Sequence, residues 1–274
     1  MQHPLLQKII RWFVPLATLA AFAGWLYIAP PGILGKADAV GYAVCHRISE
    51  RSFHIGERQL PLCARCSGTF TTAAVGLTFL AVTARKRSGM PDKKFYIPFA
   101  LFFLAFAVDG SNSYLYLLKQ VTGGLTQIPN LYIPNNTLRL FTGTGMGLTM
   151  AAFLFPAFNQ SVWRDLDPAP VIRTWKHFLT LVGLLLAIDL LILTDSPLVL
   201  YPIAFISPLG VLALLTMIFA IVWLMMMRQD NTIVHIKELW LPLLAGFTLT
   251  LLMILAIDLF RLQLTGTWGA FPLG

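Results

Sequence analysis

The chain has 274 residues, 57% of them hydrophobic and 12% charged, with a mean hydropathy of +0.73. Soluble domains carry about a quarter charged residues, so this composition lacks the polar surface needed to face water and points to lipid as the solvent. The net charge of +8 does not read as nucleic-acid binding, because Lys and Arg stand in short blocks beside apolar runs, with no basic stripe interleaved with exposed aromatics.

A spanning helix needs about 20 mostly apolar residues. In chain order, such runs lie near 12–29, 67–84, 95–118, 137–158, 177–194, 203–227 and 238–262. The first follows Lys8 and Arg11 and contains Ala21-Phe22-Ala23, a pattern shared with signal peptides; we read it as a retained anchor. Pro30-Pro31-Gly32 ends it, Ser88-Gly89-Met90-Pro91 parts the second run from the third, and Asp167-Pro168-Ala169-Pro170 precedes the fifth. The fifth and sixth are separated only by residues 194–202, and a re-entrant kink there would reduce seven crossings to six. The expectation is an all-α, polytopic transmembrane bundle of seven helices, forming a single membrane domain over 1–274 with no soluble appendage. No internal repeat is visible, which counts against the common secondary-transporter folds.

Orientation follows from the basic residues of the short loops. With the N-terminus cytoplasmic, twelve Lys and Arg fall inside and eight outside; four of the eight lie in one cysteine-rich stretch. The predicted location is the inner, cytoplasmic membrane, with that stretch extracytoplasmic and 85–94 cytoplasmic.

The stretch contains all three cysteines, Cys45, Cys63 and Cys66, together with His46 and His54. Cys63 and Cys66 form a C-x-x-C pair, whose thiolates can converge on one ion or bond to each other. Three sulfurs and one imidazole make a common closed zinc set. Neighbouring residues seldom ligate one metal comfortably, so spacing favours His54 over His46 as the nitrogen donor. A redox reading competes with zinc. Cys66 is predicted at a helix N-terminus beside Arg65, where dipole and charge activate a thiol, and a C-x-x-C at the outer mouth of a bundle suits a quinone-coupled thiol oxidant. The third alternative is inert structural cysteines.

Polar residues inside spanning segments are costly and mark function by default. The third helix carries Asp109-Gly110-Ser111-Asn112; the fourth begins Asn135-Asn136-Thr137-Leu138-Arg139 and continues through Gly143 and Gly147, a small-residue face that permits close approach. Asp189 lies late in the fifth helix, and Asp258 and Arg261, three apart late in the seventh, can pair on one face. In the N-in arrangement all fall in the outer half of the membrane, beneath the cysteines. We expect Asp109 and Arg139 to face each other, with Gly143 and Gly147 bringing their helices together and Asn112 and Asn136 satisfying the remaining polar atoms. Arg139 snorkelling to headgroups is the plainer alternative.

Cys45-His46-Arg47, Glu50-Arg51-Ser52-Phe53 and Pro61-Leu62-Cys63-Ala64-Arg65-Cys66-Ser67-Gly68 together resemble the hallmark of an uncharacterised prokaryotic membrane-protein family, a domain of unknown function. Asp109-Gly110-Ser111-Asn112 and the run Asn136 to Gly143 look like its second block. The resemblance covers about 40–150, a core with the Cys/His loop and the polar helix pair; the helices over 160–274 are additional. It brings no established reaction. It does imply His46, which is part of the hallmark, over His54. The resulting expectation is a zinc-type site of Cys45, His46, Cys63 and Cys66 in a protein of unknown activity, either an accessory subunit of a membrane assembly or a handler of small molecules or lipid. The alternatives are a quinone-coupled thiol–disulfide oxidoreductase and a transporter using Asp109 and Arg139. Expected partners are the lipid bilayer and other membrane subunits, with no nucleic acid.

Overall fold

A computed structural model describes residues 4–125 and 127–269. Eight α-helices make up the fold: α1 Pro4–Ile28, α2 Ile33–Val44, α3 Ala64–Thr83, α4 Tyr96–Thr122, α5 Asn136–Val162, α6 Trp175–Ile192, α7 Pro197–Met226 and α8 Trp240–Thr265. All but α2 belong to the seven stretches long and apolar enough to cross a membrane. Their outer surfaces carry large exposed apolar side chains, such as Trp12, Phe13 and Leu16 of α1 and Leu198 and Leu209 of α7. A surface of that kind is tolerable in lipid and not in water. The chain is a multi-pass membrane protein.

Local chemistry sets the helix ends. Pro30 and Pro31 stop α1, Asn135 caps α5 by accepting from the Leu138 N–H at 2.9 Å, and Pro197 opens α7 at the position where its missing N–H costs nothing. The stretch over 194–202 read as separating the fifth and sixth crossings reduces to a tight turn over 193–196, and Pro202 lies inside α7 without re-entry. Two features were not anticipated. At 12 residues α2 is too short to span and lies on the cysteine side. A short hairpin, β1 His54–Ile55 with β2 Arg58–Gln59, folds the loop before α3.

The axis of the bundle is α3 against α5: about half of each spanning window is buried, against 22% for α1 and α4. Gly143 and Gly147 are the reason. A Cβ at Gly143 would overlap the Arg65 carbonyl, and one at Gly147 the Thr69 carbonyl, so the two backbones touch there. The sequence-based expectation that these glycines face the Asp109 helix is therefore corrected: they face α3, while Gly145 rests on Phe102 of α4. Helices in lipid gain little from hydrophobic exclusion, so close backbone packing carries much of their association.

One end of the bundle is closed by a parallel pair, β3 Arg87–Gly89 with β4 Asp167–Pro170. There Asn159 donates to the carbonyls of Arg85 and Arg87 at 2.9 and 2.7 Å, and Lys86 to that of Val234 at 2.9 Å. The cysteine loop closes the other end.

Gly143→Ala and Gly147→Ala should each lower stability by about 1–3 kcal/mol through overpacking, read as the melting temperature in detergent. Gly183→Ala, with nothing within 4 Å of its added Cβ, should be neutral or stabilising by up to about 1 kcal/mol. Equal effects at all three positions would remove the glycine seam as the cause.

Candidate metal centre and its polar surround

The chain leaves α2 at Cys45 and reverses at Arg47, which adopts a left-handed conformation with φ 53°. Arg47 and Arg58 both bond Asp38 of α2, at 2.9 and 2.6 Å, and Gln59 donates to the Arg47 carbonyl at 2.9 Å and to Ser52 Oγ at 2.8 Å. This lattice folds the hairpin back so that Leu62-Cys63 re-enters beneath Cys45. Cys63 is the N-cap residue of α3, and Cys66 lies in its first turn.

The three sulfurs lie within 4.8 Å of one another; no other set of three or more His, Cys, Asp or Glu ligand atoms converges so closely among the described residues. All three cysteines are free, with Cys45 and Cys63 buried and Cys66 half-buried. Around them pack Leu62, Val211, Leu251 and Ile254, from the loop, α7 and α8. Two backbone N–H groups point at Cys45 Sγ, from Cys63 at 3.4 Å and Arg47 at 3.5 Å. Hydrogen bonds from Cys45 and Cys66 hold the Cys63 thiol well below its ordinary range, and the same bond with Cys63 helps push Cys45 up to about 12. The three thiols are coupled through these bonds, and a cation held by them would displace their protons.

Tetrahedral zinc with bonds of about 2.3 Å separates its sulfurs by about 3.8 Å, a spacing compatible with three sulfurs that all lie within 4.8 Å of one another. His46 is not among the mutually close ligand atoms: its Nδ1 lies 3.9 Å from Cys45 Sγ alone and accepts a long bond from the Ile48 N–H at 3.4 Å. Burial holds His46 below its usual range, with Cys63 opposing, which favours the neutral, ligating imidazole. His54, the donor that spacing favoured, sits on β1 and meets Ser49 Oγ at 3.0 Å.

Asp109, buried on α4, forms its ion pair with Arg65 of α3. Arg65 Nε reaches Asp109 Oδ2 at 3.1 Å and its Nη2 reaches Ser113 Oγ at 3.0 Å. Tyr132 donates to Asp109 Oδ1 at 2.7 Å and Thr142 to Oδ2 at 3.2 Å. The expected Asp109–Arg139 pairing is therefore corrected: Arg139, buried on α5, donates to Asn136 Oδ1 at 2.9 Å. Asn112 serves the α4–α5 loop instead of Asp109, donating to the Tyr132 carbonyl at 2.9 Å and accepting from the Leu131 N–H at 2.9 Å. Asn136 also donates to the Glu50 and Ser52 carbonyls, at 3.2 and 3.4 Å. Thr144 bonds Asp189 at 2.8 Å. Arg261 of α8 grips the carbonyls of Tyr42 and Cys45 and stacks on the Tyr42 ring. Most of these groups are tied by hydrogen bonds to the cysteine loop, the first turn of α3 or the α4–α5 loop. Arg65 and Tyr132 were not foreseen as partners of Asp109. Arg65 was legible only as the basic residue of the C-x-x-C turn, and Tyr132 lies in a loop with no distinguishing pattern.

Residues 45–153 match the model of a family described as "Predicted membrane protein (DUF2085)". An uncharacterized protein of Methanocaldococcus jannaschii is 29% identical over 126 residues, covering 46% of this chain and 70% of the relative. No solved structure matches. Over this stretch the chain resembles an uncharacterised prokaryotic family of membrane proteins.

In double-mutant cycles read by thermal unfolding, Arg65→Gln with Asp109→Asn should show a coupling of about 1–3 kcal/mol. Arg139→Gln with Asp109→Asn should show less than half of that. The reverse order would restore the Asp109–Arg139 pair.

Proposed function

We propose that this protein carries a closed, zinc-type structural centre formed by Cys45, Cys63, Cys66 and His46, which braces an extracytoplasmic loop onto a seven-helix bundle of the cytoplasmic membrane. The observation that carries the reading is the convergence of three free sulfurs within 4.8 Å, two of them buried. A bound zinc ion would supply a fixed tetrahedral junction, and four protein ligands leave no open position for substrate. In this chain such a junction would tie the end of α2 and the loop after it to the first turn of α3. A rigid cap of that kind suits an accessory subunit of a membrane assembly or a handler of small amphiphiles; stable co-purifying subunits distinguish the first from the second.

One observation favours a second reading. The Cys63 thiol is shifted down at the start of α3, with Cys66 beside it, the arrangement of a dithiol that a membrane quinone would oxidise. Burial of Cys45 and Cys63 speaks against exchange with a bulky protein partner. The polar pair gives no comparable support to transport: Asp109 is locked by four side chains, those of Arg65, Tyr132, Thr142 and, through Arg65, Ser113.

Protein purified without chelator should contain about one zinc per chain by elemental analysis. Cys→Ser at 45, 63 or 66 should each weaken binding by more than the roughly tenfold that losing an outer-shell partner costs. Metal-free preparations, or a Cys63–Cys66 disulfide found by mass spectrometry, would sink the zinc reading; the disulfide would establish the redox one.

Orientation is tested separately with a membrane-impermeant thiol reagent on intact cells after metal stripping. Cys66, the least buried of the three, should react. Labelling confined to broken cells would invert the topology.

A further inference from the structure

Beside the sulfur cluster, between the 48–51 turn, the outer end of α4 and the start of α5, lies a cavity of about 420 Å³. Its lining includes Arg51, Arg139 and Gln120, the apolar side chains of Leu117 and Val121, and Glu50, which is exposed. Arg51 and Arg139 are only 7% and 6% exposed, yet neither joins an ion pair among the described residues. The buried carboxylate nearest in chemistry, Asp109, is taken by Arg65. The guanidinium of Arg51 donates from Nη2 to the Ser113 carbonyl at 3.3 Å, and that of Arg139 from Nη1 to Asn136 Oδ1 at 2.9 Å, one hydrogen bond each.

Each guanidinium carries five N–H donors, so most are unused. None of the remaining nitrogens is among the atoms sealed from solvent without a partner, in contrast to Arg47 Nε; they open on the cavity that both residues line. The two cations lie within electrostatic reach of each other and of Arg65. The positive end of the α5 macrodipole adds to the same field, since Arg139 stands in the first turn of that helix. Cys63 opposes both, Glu50 opposes Arg51 and Asp109 opposes Arg139, but none of them pairs directly with either; burying two like charges side by side without a paired counter-charge is unfavourable, and an oxyanion between them removes the conflict. Guanidinium forks match phosphate oxygens two by two, and the apolar wall suits an organic remainder.

We infer that this cavity binds a phosphate-bearing anion, gripped between Arg51 and Arg139, with its apolar portion against Leu117 and Val121. The same chemistry comes from an anionic phospholipid headgroup or from a soluble phosphate. The inference does not rest on the metal reading.

The test uses the full-length protein in detergent, with two probes: dioleoyl phosphatidylglycerol followed by native mass spectrometry, and inorganic phosphate followed by equilibrium dialysis and as a competitor of the lipid. Wild type should retain one lipid, and Arg51→Gln or Arg139→Gln should weaken retention by roughly tenfold or more. Arg173→Gln, exposed and outside the cavity, should leave it unchanged. Displacement by phosphate, with the same dependence on the two arginines, identifies the soluble source; retention of lipid alone identifies the headgroup. Leu117→Trp, which fills the cavity and keeps both arginines, should also abolish binding, so a poorly folded arginine variant does not end the test. Zinc content measured on the same samples should be unchanged, which separates this outcome from that of the cysteine site. Binding of both probes that is absent, or indifferent to Arg51, Arg139 and Leu117, overturns the inference.

Discussion

The backbone contact between α3 and α5 is the constraint on which the rest of the molecule hangs. Without a Cβ at Gly143 and Gly147, the carbonyls of Arg65 and Thr69 sit directly against α5. Because α3 begins at Cys63, that seam fixes where the sulfurs stand. Because Arg65 lies in the first turn of α3, it also carries a guanidinium to the level of Asp109 on α4. Thr144, between the two glycines, reaches Asp189 on α6 from the same helix. One close approach thus sets the depth of polar groups on four helices.

The polar residues then follow a rule of economy imposed by lipid, where an unsatisfied donor or acceptor has no water to turn to. Asp109 receives bonds from Arg65, Tyr132 and Thr142, drawn from α3, the α4–α5 loop and α5. Asn112 and Asn130 fasten that loop to α4. Arg261 spends its charge on two backbone carbonyls and an aromatic face. Arg51 and Arg139 depart from the pattern: they are buried cations whose bonds inside the chain engage only a carbonyl and an amide oxygen.

Crossing helices were legible because their signal is length and apolarity, both one-dimensional. The convergence of Cys45, Cys63 and Cys66 was legible because a C-x-x-C turn at a helix start brings two sulfurs together and the loop is short enough to return the third. The partner of Asp109 was not. Arg65 and Arg139 lie at the same depth, and sequence order favours consecutive helices, whereas α3 occupies the centre of the bundle and reaches α4 and α5 alike. The glycines were rightly read as a close-approach face and assigned to the wrong neighbour for the same reason. Helix α2 was missed because its 12 residues fall short of a spanning run, the signal by which helices were read; Gly41 is what lets it lie against Pro61. The hairpin that sets His54 against Ser49 Oγ left no mark in the spacing of the two histidines.

The grip of Arg261 on the carbonyls of Tyr42 and Cys45 joins residues as far as 219 positions apart. A membrane chain is made and inserted from its N-terminus, so the loop emerges long before α8 exists. During that interval Cys45, Cys63 and Cys66 lack the cover of Leu251 and Ile254 and the clamp that holds Cys45 in place. Closure of the cap is therefore a late event in biogenesis. The order of synthesis thus leaves the three cysteines without part of their apolar cover until the last helix is in place.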